Sequence, residues 1–380
     1  MNSKTMPTSP ISYHHGKFPP GRLNLEMLLP LVGPANAALA RYDGTLAGIP
    51  NASLLLAPLT TQEAVLSSRI EGTHATMGEV FEFEAEHGSE AEDASDERKA
   101  DIQEVLNYRR AMNHALKAMD SLPLSERLIR EAHAVLLRGV RGENKDPGNY
   151  RRIPVWIGPT KRVEDARFVP IDAGKIDNAM AGWESYLHSD APDRLIQLAI
   201  AHAEFESIHP FLDGNGRLGR MLVPLFLHHS GVIRTPMFYL SGFFEEHRDE
   251  YYDRLLAVSS DDDWSGWCAF FLRAVTHQAE VNETKARSFL QLYDELKLSI
   301  SEWTHSQYSI HTLDWIFRQP VFNTVAFMAG SGIPAPTARR VLRVLREQGL
   351  LRVLRESSGR RPAILGFPRL MNLAEGREVF

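Results

Sequence analysis

One cysteine, Cys268, stands in a chain of 380 residues. A single thiol excludes an internal disulfide framework and fits a reducing compartment. It falls in the apolar run WCAFFL, where a thiol packs as an inert core group. Long apolar runs are missing as well: none reaches the roughly 18 residues that a membrane span needs. The polar, proline-containing N-terminus has no signal-peptide pattern, so the expected setting is the cytoplasm. Nor is there a surplus of positive charge. With 42 Lys and Arg against 48 Asp and Glu the net charge is −6, which argues against nucleic-acid binding by the whole chain but leaves room for one basic module. What remains is ordinary for a globular protein: 43% hydrophobic and 24% charged, with length for roughly two or three domains around a large core.

The chemistry concentrates in twelve residues, HPFLDGNGRLGR, from His209 to Arg220. Upstream, Pro192 to Ile208 is apolar on nearly every face (Leu195, Ile196, Leu198, Ala199, Ile200, Ala203, Phe205, Ile208), the pattern of a helix buried on all sides. Downstream, Arg217 to Ser230 continues apolar and stops at Gly231. The stretch is therefore the corner between two buried helices. Gly214 and Gly216 flank Asn215 and allow a backbone whose N–H groups converge at a helix N-terminus, where an anion is favoured. Arg217 and Arg220, three apart, add two charges to the same face. Asp213 alone is negative, as expected of a group that holds a metal ion bridging to phosphate. These residues describe a polyphosphate site with an imidazole, His209, at its edge. A zinc reading of His202, Glu206 and His209, spaced i, i+4 and i+7, leaves the GNGRLGR loop and both arginines unexplained.

The stretch resembles the signature of the Fic proteins, H-x-F-x-[DE]-G-N-G-R-x-x-R, at every specified position. The resemblance implies a mainly α fold, a Fic-type helical core with a small β-hairpin flap, and transfer of AMP from ATP to a Ser, Thr or Tyr hydroxyl of a protein. It implies His209 as the general base, suited by an ordinary imidazole pKa of about 6.5, and Asp213 as the ligand of Mg²⁺. The main-chain N–H groups around Gly214, Asn215 and Gly216, with the Asn215 amide, would receive the α-phosphate, Arg217 the β-phosphate and Arg220 the γ-phosphate, and Glu71, His209, Leu218 and Gly219 also count among the nucleotide-binding residues. Phe211 anchors the loop in the core. Tyr251 or Tyr252 is placed to meet adenine.

A second motif precedes the first. Thr60 and Glu63 suggest a capping box at the start of a helix that runs to Gly72, and within it SSRIEG holds Ser67, Glu71 and Gly72. This is similar to the family's inhibitory motif, [ST]-x-x-x-E-[GN], with Ser67 and Glu71 on one face. By that resemblance Glu71 pairs with Arg220 and denies it to the γ-phosphate, since a carboxylate at an anion site both removes and repels charge. If Glu71 also orients a water, the same site removes AMP.

Further readings complete the chain. Residues 1 to about 22 form an extended arm, and Leu23 to Leu46 a helix interrupted at Gly33-Pro34. Glu82 to Glu97 is an acidic, solvated loop. Arg98 to Met119 and the helix capped by Ser125 are amphipathic, and His133 in the latter is a core histidine. Residues 153–169 give two extended runs, Ile153–Ile157 and Arg167–Val169, placed like the family's flap, whose edge holds the target as an added strand. The family also allows self-modification and a homodimer. From about residue 308 a helix (Ile310–Phe317), a second (Val321–Ala329), a third from Pro334 to Gln348 and a hairpin give the order of a winged helix-turn-helix. Between Arg339 and Arg369 nine arginines face Glu347 and Glu356 alone, so DNA is a candidate partner there. The expected domains are an N-terminal helical region with the inhibitory motif (1–120), the catalytic core (121–275), a connecting helix (276–305) and the winged helix (306–380).

Overall fold

The computed structural model describes residues 10–49, 51–87, 97–160, 162–359 and 361–378. They are mainly helical, and they divide into two units: Met1–Arg41 with Arg110–Glu280, and Tyr42–Arg109 with Val281–Phe380. No helix among the described residues is long and apolar enough to cross a membrane.

The first unit is built around two consecutive helices. Arg194–Ile208 starts at Asp193, whose carboxylate accepts the N–H groups of Leu195 and Ile196, both at 2.9 Å. Its residues Leu195, Leu198, Ala199, Ile200, Ala203, Phe205 and Ile208 are all buried, as the all-round apolar pattern predicts. It packs against Asn215–His229 on one side and Ile176–Leu187 on the other. Indole groups fasten it: Trp183 Nε1 donates to the Ala201 carbonyl at 2.8 Å and Trp267 Nε1 to the Ala199 carbonyl at 2.6 Å. The helix Glu126–Leu136, capped by Ser125 as expected, packs on Asn215–His229 and brings His133 to the corner.

The Leu25–Ala47 helix runs through Pro30 and Pro34 without the expected interruption. Both prolines lie on its exposed side, where water can satisfy the carbonyls that lose a donor. The flap is less regular than its sequence suggests. Among the described residues only Ile157 pairs with Phe168, the strand is Phe168–Val169, and residues 153–156 are outside any strand. The N-terminal arm supplies what the hairpin lacks: Ile11–Ser12 lies parallel to Phe168–Val169. Glu204, buried on the Arg194–Ile208 helix, anchors the arm by accepting from the Tyr13 hydroxyl at 2.5 Å and bonding His14 Nε2 at 2.8 Å.

In the second unit, Pro58 opens the Ala57–Ile70 helix, so Thr60 and Glu63 lie inside it and do not cap it. Glu63 is buried instead and accepts from the Tyr108 hydroxyl at 3.0 Å. Met77–His87 is helical where the sequence suggests the start of an acidic loop, and the rest of that loop, 88–96, falls outside the described residues. From Ser309 the order is helix (Ser309–Arg318), strand (Val321–Asn323), helix (Thr324–Gly330), helix (Ala335–Glu347) and two strands (Arg352–Arg355, Ile364–Gly366). The central strand Ile364–Gly366 pairs antiparallel with both others. Val321 thus begins a strand and not a helix, because its β-branched and aromatic start, Val-Phe, pairs before Asn323 caps the next helix. A last helix, Pro368–Glu375, had no signal in the pattern.

Candidate active site

The corner is made by two left-handed residues. His209 ends the first helix at φ 50°, ψ 62°, and Gly214 opens the second at φ 80°. A side chain at Gly214 would also crowd Leu136, His133 and Leu137 at 3.3 to 3.5 Å, so glycine serves both the turn and the packing. A non-glycine residue in this region is strained and must be held by its surroundings. Arg151 holds it. The Arg151 guanidinium is buried and donates to four carbonyls: Nε to His209 at 2.8 Å, Nη1 to Ile153 at 3.1 Å, and Nη2 to Ile171 at 2.5 Å and Ile208 at 3.3 Å. Its own N–H donates to the Pro210 carbonyl at 2.9 Å. Burial lowers its pKa to about 10, which still leaves it charged at neutral pH.

The loop between the two residues is pinned from within. Phe211 is fully buried and stacks on His133 with centroids 3.8 Å apart. Asn215 accepts from the Phe211 N–H through Oδ1 and donates from Nδ2 to the Phe211 carbonyl, both at 2.9 Å. The Asn215 amide thus fixes the loop through its oxygen and one of its two N–H donors. Its main-chain N–H remains at the helix N-terminus. His133 accepts the Gly148 N–H at Nδ1 (2.8 Å), which leaves Nε2–H to donate to the Asp213 carbonyl (3.0 Å). Burial pushes its pKa down to about 4, so it is a neutral core histidine, as its position in an apolar face suggests.

The charged residues of the stretch divide by exposure. Arg217 and Arg220 are 4% and 2% exposed, at the N-terminal end of Asn215–His229. Two buried guanidiniums there, with the helix dipole, concentrate positive potential at one end. Asp213 is half-exposed; its Oδ1 accepts from the Gly214 N–H at 2.6 Å and from Arg217 Nη2 at 3.2 Å. Its Oδ2 accepts no hydrogen bond among the described residues, so one carboxylate oxygen is available. That fits Mg²⁺, which takes one or two carboxylates and fills its shell with water and phosphate oxygens. Leu218 is buried, so only its main chain could reach a ligand. Gly219 lets Glu206 lie against the helix, since a Cβ at 219 would overlap Glu206 Oε1.

His202 lies behind the corner, close to Arg220 and the Gly219 main chain. It is fully buried, bonds the Tyr251 hydroxyl through Nε2 at 3.0 Å and stacks near Trp267. Tyr251 is 1% exposed, its ring stacked on Phe244 at 4.5 Å. The Tyr251 ring packs in an aromatic core, and Tyr252, half-buried beside Arg248, is the one nearer the surface.

In the second unit, Ala57–Ile70 ends one residue before Glu71, with Gly72 at φ 95°. Gly72 N–H donates to the Arg69 carbonyl at 2.9 Å and Thr73 N–H to that of Ser68 at 3.1 Å. These two bonds form a Schellman turn. Ser67 is buried and Glu71, the residue that caps the helix end, is exposed.

Models of known families match on both sides of this geometry: Fic/DOC family N-terminal over residues 29–117, and Fic/DOC family over 123–227. Together they account for just over half of the 380 residues. The chain belongs to the Fic/DOC family. Its Fic corner and the helix that Glu71 caps both fall inside the matched ranges. A protein adenylyltransferase Fic from Aedes aegypti is 31% identical over 118 residues, 30% of this chain and 21% of that protein. The protein adenylyltransferase fic-1 of Caenorhabditis briggsae is 31% identical over 161 residues, 40% of this chain and 28% of that one. The chain thus spans under a third of the length of these relatives. A crystallised Fic family protein from Desulfovibrio desulfuricans G20 shares the fold with a TM-score of 0.57 at 20% identity, over 92% of this chain and 98% of that one. Arg151 was not singled out in the sequence; it sits in YRRIPVWIG beside a second arginine, and nothing local marks it as the one that turns inward.

Proposed function

We propose that the chain is a protein adenylyltransferase that moves AMP from ATP to a hydroxyl side chain of a target protein. One observation carries this reading: two buried arginines at the N-terminus of Asn215–His229, reached through a corner that begins at His209. A triphosphate is the ligand that uses two guanidiniums, converging main-chain N–H groups and a half-exposed carboxylate together. His209 takes the proton as the hydroxyl oxygen bonds to the α-phosphorus, and the bond from that phosphorus to the bridging oxygen breaks to release pyrophosphate. Arg217 and Arg220 receive the β- and γ-phosphates and neutralise the charge that gathers on the leaving group. Asp213 would hold Mg²⁺, which when bound screens the phosphate oxygens.

The flap supports an extended target. The far edge of Phe168–Val169 is taken by Ile11–Ser12, so a target strand would add along 153–157, where Ile153, Trp156 and Ile157 are exposed. The motif at Ser67, Glu71 and Gly72 supports autoinhibition, with the Glu71 carboxylate competing with the γ-phosphate for Arg220. ATP labelled on the α-phosphate, followed by mass spectrometry for an added AMP on the chain itself or on lysate proteins, tests the reading. His209→Ala is expected to abolish labelling; labelling that persists in this variant overturns the assignment of the base.

A further inference from the structure

We propose that the C-terminal segment, residues 309–378, binds duplex DNA, with the Ala335–Glu347 helix in the major groove and the Arg352–Gly366 hairpin beside it. The starting point is how the structure sorts the arginines of a segment far more basic than the chain around it. Three are engaged by protein. Arg340 donates to the Thr304 carbonyl at 2.8 Å, Arg369 makes a two-pronged pair with Glu295 at 2.9 Å, and Arg355 pairs with Glu86. Arg339, Arg346, Arg352 and Arg361 have no carboxylate partner among the described residues, and all four are exposed. Arg343 is exposed too, its only ion pair among the described residues a loose 3.9 Å contact with Glu347.

The unengaged arginines are not scattered. Ala338, Val341, Leu342 and Leu345 bury one stripe of the helix. Arg339, Arg343 and Arg346 follow at i, i+4 and i+7 on another, so three guanidiniums leave the same face. The first turn of that face offers only Pro334, Ala335 and Pro336, which are exposed and short, with no acidic residue. A helix of 13 residues is about 20 Å long, and B-DNA's major groove, about 12 Å wide, admits one helix. Small residues at its leading end allow close approach, and Arg339 and Arg343 behind them match guanine O6 and N7 with a two-pronged donor.

The preceding elements complete the arrangement. Thr324–Gly330, capped by Asn323, leads through Ser331–Pro334 into the arginine helix, which is a helix-turn-helix in order and spacing. The hairpin adds Arg352 on its outer strand and Arg361 at its tip, where Ser358 and Arg361 pair around the turn at Gly359. Those two lie where a wing meets phosphates, and they carry no base-reading role. This surface is independent of the adenylylation reading.

The test is fluorescence anisotropy of the full chain with a labelled random-sequence duplex across 50 to 200 mM salt (on the order used to resolve counterion release), then with a duplex enriched by rounds of selection. Binding is expected to weaken with salt. Arg339→Ala and Arg343→Ala should each lose about 10- to 100-fold on the selected duplex, and Arg339→Lys should keep the salt dependence while losing sequence preference. Arg352→Ala and Arg361→Ala should weaken all duplexes alike and each remove about one unit from the log–log salt slope. Thermal midpoints check that each variant is folded. Absence of binding at 50 mM salt overturns the proposal, as does equal affinity for heparin or double-stranded RNA. So does binding that the helix variants leave unchanged, because the contact then lies elsewhere.

Discussion

Arg151 donates from Nε to the His209 carbonyl at 2.8 Å, tying a residue 58 positions upstream to the turn that aims the imidazole. The bond explains how a histidine can occupy a left-handed conformation at the end of a buried helix. The cost of that backbone is offset by a charged donor that also satisfies Ile208, Ile153 and Ile171.

Arg151→Lys retains a charge but cannot serve four carbonyls in different directions. It is expected to lower unfolding free energy by about 3 kcal/mol, because buried carbonyls lose their donor. On the adenylyltransferase proposal, AMP transfer should fall more than tenfold, mainly in kcat, since Arg151 is not among the residues proposed to hold ATP. Urea denaturation with steady-state kinetics measures both.

Gly219→Ala places a methyl where Glu206 Oε1 now lies, and the Glu206 side chain, nearly buried, has little room to withdraw. A loss of about 1–3 kcal/mol is expected from overpacking. Combining it with Glu206→Ala should recover part of that loss, because the clash needs both groups. A double-mutant cycle by chemical denaturation gives the coupling, and strict additivity would show that the two do not meet.

Two neutral histidines make the corner sensitive to acid. The pKa of His133 is lowered to about 4 and that of His202 to about 3, in both by burial. Unfolded imidazoles titrate near 6.5, so below that pH the unfolded chain binds protons that the folded chain refuses. Stability is full above pH 6.5 or so and is lost as pH falls toward 4, by on the order of 3 kcal/mol per histidine. Urea midpoints measured from pH 7.5 to 4.5 should decline, and His133→Gln should decline less steeply.

Gly72→Ala puts a side chain at φ 95° in the turn behind Glu71 and should destabilise the helix end by about 1 kcal/mol. On the autoinhibition proposal, Glu71→Gly raises AMP transfer and Gly72→Ala raises it more weakly, by loosening where the carboxylate is held. Rates of self-labelling compare the three chains. An unchanged rate in Glu71→Gly would remove the inhibitory role and leave the transferase reading in place.

What the sequence determined is local. Apolar residues on every face announce a buried helix, alternating glycines announce a turn that other residues resist, and Ser125 marks a helix start by the bond it makes within its own turn. The signature from His209 to Arg220 was legible for the same reason: its twelve residues are contiguous. Tertiary structure decided what depends on partners distant in the chain. Tyr13 and His14 meet Glu204 about 190 positions away, Asn215 spends its amide on the loop, and Tyr251 gives its hydroxyl to His202. A polar side chain reads the same in sequence whether it faces a ligand or a carbonyl. Only the packed core, where each buried polar group must find a partner, separates the two.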